Sequence, residues 1–177
     1  MPRRVVDLGR TRLLWVPGEN GIADYLAPTT TELGAVGVRD LTCMMVTTYE
    51  VRMDASDTTN ERAVCETNNV TTPTIGNYMG RMDLFRDWDE TDPMNPDWAT
   101  TDVLEWLDYL AAGWFVRRNG PAYDAAWANG QKVETYKFIA DNVQTSGGTG
   151  SGFMKATVPL LPQGVATPRA VIGGEGS

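Results

Sequence analysis

The close spacing of chain-breaking residues constrains this fold more than any other feature. Eighteen glycines and ten prolines divide the 177 residues into short apolar stretches rich in Thr, Val, Tyr, Phe and Trp. Residues of these types favour β-strands, and short strands separated by frequent turn residues are typical of sandwiches and barrels. The sequence therefore predicts a mainly β protein, and its length fits one domain spanning 1–177.

Two strands carry the clearest pattern. Over 47–53, the side chains of Tyr49, Val51 and Met53 fall on one face, and a second alternating stretch covers 75–86. Weaker strands are predicted over 13–16, 114–118, 132–139 and 153–158, with Pro159 and Pro162 expected to end the last of them.

One flanking helix is predicted over 100–112. Val103, Trp106, Leu107 and Leu110 form an apolar stripe at helical spacing, and Gly113 follows as a stop signal. A helix beside about six strands indicates a sandwich or small barrel with a helix on its flank.

Three segments contain little that one domain could bury. Residues 54–74 form a polar stretch longer than most loops, residues 1–12 form an N-terminal arm, and residues 163–177 form a Gly-rich C-terminal tail. The core is accordingly expected over 13–162. Segments that a monomer leaves unsatisfied indicate assembly with other chains.

The charge is unevenly distributed. Residues 83–108 hold nine acidic residues and the single base Arg86. The net charge of this segment, −8, equals the formal net charge of the whole chain. Residues 1–17 carry four arginines and one acid. A cationic arm and an acidic segment could attract each other between copies, although a solvated acidic face explains the charge more simply.

Composition excludes several classes of function. A net negative charge argues against binding nucleic acids or anionic membranes, and the absence of histidine excludes a His-based catalytic triad or metal cluster. Two cysteines are too few for a disulfide scaffold or a thiolate zinc site, and no apolar run approaches the length of a membrane span. We expect no catalytic residue, cofactor or metal site, and no enzymatic activity.

Trp88 and Trp98 keep a second class of function open. Exposed tryptophans can stack on sugars, so a carbohydrate-binding β-sandwich is the alternative from another class. The nearby carboxylates do not define a glycosidase pair, and residues 87–92 lack the glycine and closing glutamate of a calcium-binding loop.

Several segments between residues 40 and 165 share features with one viral family. They are Ala63-Val64-Cys65-Glu66, residues 72–80, Leu84-Phe85-Arg86-Asp87, Arg117-Arg118-Asn119-Gly120, residues 130–134, and residues 153–164, which include Pro159-Leu160-Leu161-Pro162-Gln163-Gly164. Together they resemble the tail tube, or major tail, proteins of long non-contractile-tailed bacteriophages, especially phages of actinobacterial hosts.

This resemblance implies a β-sandwich or barrel-like tail tube fold with one flanking helix, a long stacking loop and extended terminal arms. It implies homohexameric rings, assembled in the host cytoplasm, that stack into the hollow tail of the virion. The genome would pass through the lumen without specific binding. The implied partners are copies of the same chain and the tape measure, tail tip and tail terminator proteins. A tail terminator, a head–tail connector or an effector-delivery tube is the alternative with the same fold.

The resemblance also assigns roles to residues. Candidates for contacts between rings are Arg3, Arg4, Arg10, Arg12, Asp57, Asn60, Glu61 and Arg62. Candidates for an acidic lumen or ring surface are Asp83, Asp87, Asp89, Glu90 and Asp92.

Overall fold

Strands dominate the computed structural model of the chain, which describes residues 9–61, 70–89, 97–98, 102–145 and 152–173. The strands are β1 Thr11–Pro17, β2 Arg39–Asp40, β3 Glu50–Glu61, β4 Val70–Phe85, β5 Trp88–Asp89, β6 Asp97–Trp98, β7 Ala112–Asn119, β8 Lys132–Ala140, β9 Gln144–Thr145 and β10 Lys155–Val171. The helices are α1 Thr30–Leu33 and α2 Val103–Trp106. The prediction of a mainly β fold is confirmed.

Eight of these strands form one antiparallel sheet. Its order is β2-β1-β7-β8-β10-β4-β3, and β9 pairs with β10 beside this path. The other two strands, β5 and β6, form a separate ribbon in which Trp88 lies opposite Trp98.

The sheet curls until distant strands meet. The Leu41 N–H donates to the Leu13 carbonyl of β1 at 2.8 Å, and the Met45 N–H donates to the Leu41 carbonyl at 2.8 Å. Met45 in turn bridges Leu84 of β4. In a flat sheet β1 and β4 would be four strand spacings, or about 19 Å, apart. Here the short segment 41–45 connects β1 to β4, so the sheet is barrel-like.

Curling gives the sheet two cores, one on each face. Leu13 and Trp15 pack with Phe115 in the larger cluster, whereas Leu14 and Val16 pack in the second. Successive side chains of a strand point to opposite faces, so a strand buried on both faces needs a continuous apolar run. The run of residues 13–16 meets that need.

Close packing accounts for two glycines inside strands. A Cβ on Gly80 would lie 2.6 Å from the Phe138 ring and 2.7 Å from Leu160, and a Cβ on Gly113 would overlap the Trp15 indole. Aromatic rings thus lie directly on the backbone at both positions.

The predicted helix over 100–112 is wrong in extent. Of residues 102–112, which are the described part of that segment, only Val103–Trp106 is helical; Asp102 caps it, and Leu107 is already extended. Beyond it, Leu110 adopts a φ of 63°, and its N–H donates to the Ala140 carbonyl at 2.9 Å. Pairing with the end of β8 therefore replaces the helical hydrogen bonds that the apolar spacing predicted. The second helix, α1, was not predicted, although Thr29 and Glu32 form a complete capping box there.

The expected loop over 54–74 is wrong for the described residues. Residues 54–61 and 70–74 belong to β3 and β4, which pair as a long hairpin. Their many threonines favour strands, and the hairpin partner supplies the backbone hydrogen bonds that a polar loop would lack.

The predicted boundaries of the C-terminal tail and the N-terminal arm also differ from those in the structure. The tail predicted from residue 163 is wrong up to Gly173, because β10 continues to Val171 and buries Ala170. Pro162 fits into β10 because the register with β8 shifts between Pro162 and Ala166. At the other end β1 begins at Thr11, so the proposed arm over 1–12 overlaps a strand of the sheet.

Candidate assembly surface

Among the strand residues whose exposure is described, β3 of the β3–β4 hairpin has the longest run of exposed side chains. Val51 is buried, but the side chains from Arg52 to Thr58 are exposed whichever face of β3 they leave, and Met53 is 40% exposed. Alternate residues of a strand lie on opposite faces, so this part of the hairpin projects beyond both cores. A ribbon of two strands with neither face covered has little stability of its own.

The hairpin separates from the rest of the sheet at Gly80. β10 pairs with β4 from Gly80 to Phe85 and then diverges, after Leu160, to pair with β8. Beyond this fork, within the described residues, β4 pairs with β3 alone.

Tyr78 holds the fork. Its hydroxyl donates to the Lys137 carbonyl at 2.7 Å and accepts from the N–H groups of Gln163 at 2.6 Å and Val165 at 3.2 Å. One phenol thus connects β4, β8 and the bend in β10. Burial raises its pKa above the ordinary value, so the hydroxyl stays protonated and able to donate.

The candidates for ring contacts on β3 lie on this hairpin. Asp57 is exposed and accepts a hydrogen bond from Asn77 Nδ2 at 2.9 Å. Asn60 lies opposite Thr71, and Glu61 lies opposite Val70. Arg62 lies outside the described residues.

The described arginines of the proposed arm are engaged within the chain. Arg10 donates to the Gly120 carbonyl at 2.8 Å. Arg12 forms an ion pair with Asp40 at 2.9 Å and lies 5.0 Å from the centre of the Trp127 ring. Arg3 and Arg4 lie outside the described residues.

The expectation of a surface position for Asp83 is wrong. The residue is 8% exposed, and its carboxylate accepts from the hydroxyls of Thr48 at 2.8 Å and Thr157 at 2.7 Å. It also forms an ion pair with Arg81 at 3.2 Å. Asp83 therefore joins neighbouring segments inside the subunit.

The remaining acidic candidates lie between β4 and α2 in the sequence. Asp87 is half-buried, Asp89 belongs to β5, and Glu90 and Asp92 lie outside the described residues. Arg86 and Asp102 lie at the two ends of this segment. The Arg86 guanidinium donates two hydrogen bonds of 2.8 and 3.0 Å to the Asp102 carboxylate, and both side chains are buried. Asp102 is one of the nine acidic residues of 83–108, but it is buried in an ion pair with Arg86 and does not belong to a solvated acidic face.

A groove beside the start of β1 has a volume of about 730 Å³. Its floor includes Leu13, Met45 and Tyr49, and the exposed thiol of Cys43 lies at its side. The lining holds hydroxyls, one thiol and apolar groups but no carboxylate or cation, so it offers no acid–base pair.

Within the described residues, no group of three or more Cys, Asp or Glu side chains could hold a metal ion. No helix in the same ranges is long and apolar enough to cross a bilayer.

A mainly β chain with an exposed hairpin has a surface suited to contact with other chains. Comparison with known proteins identifies its family. The family model described as phage tail tube protein matches residues 1–175, so the chain belongs to the phage tail tube proteins and its place is in the tail of the virion. A search of the curated proteins found no match.

Sequence reasoning did not identify two features of this surface, the free hairpin and the Tyr78 fork. The paired threonines at 58–59 and 71–72 could have indicated the hairpin, because threonine favours strands. The fork has no comparable signal in the sequence. It depends on hydrogen bonds between residues whose sequence separations are 59 and 87.

Proposed function

We propose that this chain forms homohexameric rings that stack into the hollow tail tube through which the phage genome passes. The family supports a structural tail protein. The β3–β4 hairpin is the observation that carries the finer proposal.

The hairpin needs a partner that the subunit does not provide. Its two strands extend beyond the fork at Gly80, and the side chains from Arg52 to Thr58 are exposed. A second copy can cover such a ribbon and supply the missing strand neighbour, which converts an aggregation hazard into a specific joint. Rings arise when the same joint repeats around a closed axis.

The charge on the hairpin fits a conduit for DNA. In β3, Asp54 and Asp57 are exposed, and the strand as a whole carries four acids and the single base Arg52. DNA carries one negative charge per about 1.7 Å of its axis, so an acidic wall repels it and lets it slide. The acidic lumen is thus better assigned to β3 than to the buried Asp83.

The partners follow from the same proposal. Copies of the chain form the rings, and the tape measure, tail tip and tail terminator proteins meet the tube inside and at its ends. Residues 1–8, which include Arg3 and Arg4, are proposed to contact the next ring. The alternative role as a tail terminator or head–tail connector keeps the hairpin joint but requires a single ring.

Electron microscopy of the purified protein at increasing concentration tests the proposal. We expect rings with an open centre, followed by stacked tubes. Rings that never stack would favour the terminator or connector. A protein that stays monomeric at every concentration, even with tail initiator components present, would contradict the proposal.

A deletion separates stacking from folding. Because β1 begins at Thr11, the test removes residues 1–8 and leaves the strand intact. We expect folded subunits that form rings but no tubes. Normal tubes from this variant would remove residues 1–8 from the stacking contact.

A further inference from the structure

The loop over residues 120–131 connects β7 to β8 and contacts a buried arginine, Arg118. Loops between paired antiparallel strands usually contain about 2–5 residues, so this loop is long for its place. The Arg118 guanidinium donates hydrogen bonds of 3.2 Å or less to the carbonyls of Ala122, Ala125 and Ala126 and to Oε1 of Gln131. It also lies 4.6 Å from the centre of the Trp127 ring. One side chain thus holds the loop along most of its length.

Stability alone does not explain this arrangement. Arg118 is fully buried, and within the described residues its Nε has no hydrogen-bond partner. The loop carbonyls satisfy its other nitrogens but add no opposite charge, and burying a charge without a paired one is costly. The shape that the guanidinium gives to the loop explains the arrangement better.

The loop in turn holds the residues that precede β1. The ladder between β1 and β7 does not reach them. Instead, the Gly120 N–H donates to the Arg10 carbonyl and the Tyr123 N–H donates to the Gly9 carbonyl, both at 3.0 Å. Arg10 in turn donates to the Gly120 carbonyl at 2.8 Å. The loop therefore fixes Gly9, to which residues 1–8 are attached.

Arg12 adds to the same contact from β1. Its guanidinium donates to the Ala125 carbonyl at 3.2 Å and lies 5.0 Å from the centre of the Trp127 ring, which Arg118 also contacts. A cation over the face of a tryptophan is attracted by the ring. Arginines of β1 and β7 therefore hold the loop together.

We propose that Arg118 is a positioning residue, which shapes the loop over 120–131 and thereby fixes the starting point of residues 1–8. The inference rests on the proposed contact of residues 1–8 with the next ring, and it names the device that directs them. Each residue that becomes ordered on stacking opposes stacking by about tenfold in the equilibrium constant. A starting point that is already fixed in the free subunit removes part of this cost.

Arg118→Met tests the inference, and Lys132→Met is the matched control. Methionine is apolar and nearly as long as arginine, and an apolar replacement of similar volume for a buried charge is often tolerated. The exposed Ala122 and Ala126 can then bond to water. Lys132 is the exposed first residue of β8, so its variant loses the same charge at the other end of the loop.

Electron microscopy compares the assembly of the two variants. We expect Lys132→Met to form tubes as the natural chain does. Arg118→Met should form rings but should need at least about tenfold more protein to form tubes, because the start of residues 1–8 must then be ordered on stacking.

Hydrogen exchange shows whether Arg118 acts through the loop. In Arg118→Met, the amides of Gly120 and Tyr123 should exchange at least about tenfold faster, the effect of one net hydrogen bond, while those within β7 and β8 keep their natural rates. Equal loss of protection throughout the sheet would indicate a general structural role and overturn the inference. If Arg118→Met does not fold, the natural chain decides: Gly120 and Tyr123 amides that exchange as in an open loop would also overturn it.

The failure of this inference is distinct from the failure of the proposed function. Normal tubes from Arg118→Met, with no tubes from the chain that lacks residues 1–8, would overturn the inference alone. If the natural chain formed neither rings nor tubes, the proposed function itself would fail.

Discussion

Tyr78→Phe removes the hydroxyl oxygen at the fork and keeps the aromatic ring of the side chain. The ring contact with Phe138, at 5.2 Å between centroids, should survive the change. Three backbone groups lose their partner: the Lys137 carbonyl and the N–H groups of Gln163 and Val165. The perturbation therefore isolates the hydroxyl that holds β4, β8 and β10 together.

The magnitude follows from these three bonds. Tyr78 is 7% exposed, so water cannot easily take the place of its hydroxyl. At about 1 kcal/mol per net hydrogen bond, the variant should lose about 3 kcal/mol of unfolding free energy. For a chain of this size that corresponds to a fall in Tm of about 6–12 °C.

Differential scanning calorimetry measures the change directly. The matched control is Tyr109→Phe, because Tyr109 is 59% exposed. We expect the control to unfold at the temperature of the natural protein. A fall of less than about 2 °C for Tyr78→Phe would refute the reasoning that this hydroxyl holds the fork.

Three further perturbations have defined outcomes. Asp102→Asn leaves the buried Arg86 guanidinium without its carboxylate and should cost about 3 kcal/mol or more in urea denaturation; a cost below about 1 kcal/mol would show that the pair is not structural. Gly80→Ala places a methyl group against an aromatic ring and should destabilise the protein by about 1–3 kcal/mol, whereas Gly76→Ala meets no atom within 4 Å and should be neutral; equal effects would contradict the packing argument. Burial first, and then a hydrogen bond to a carboxylate, raise the pKa of Tyr136 above 10.0, so its contribution to stability is complete below pH 10 and is lost as the pH rises through the raised pKa. Tyr136→Phe should accordingly weaken the alkaline loss of stability, and an unchanged pH profile would argue against this assignment.

Local pattern was enough to predict the strands that form the core. The predicted strands over 13–16 and 114–118 contain the apolar runs 13–16 and 114–116, and both became strands buried on two faces. Alternation over 75–86 likewise predicted the part of β4 that pairs with β10. At these positions strand propensity, burial and turn signals favour the same structure.

The errors occurred where distant contacts decide the structure. Leu107 and Leu110 have helical spacing, yet the helix ends at Leu107 and the Leu110 N–H donates to the Ala140 carbonyl of β8. Pro162 would end an ordinary strand, but a register shift accommodates it in β10. Asp102 is indistinguishable in sequence from its acidic neighbours, and only its contact with Arg86 shows that it is buried. Each of these outcomes depends on a partner remote in sequence, which local propensity does not encode.

A density map of assembled tails by cryo-electron microscopy tests the central claim most directly. We expect rings of six subunits around an open channel, with the exposed side chains of Arg52 to Thr58 covered by a neighbouring copy. A tail in which this part of the hairpin stays open to solvent would contradict the account.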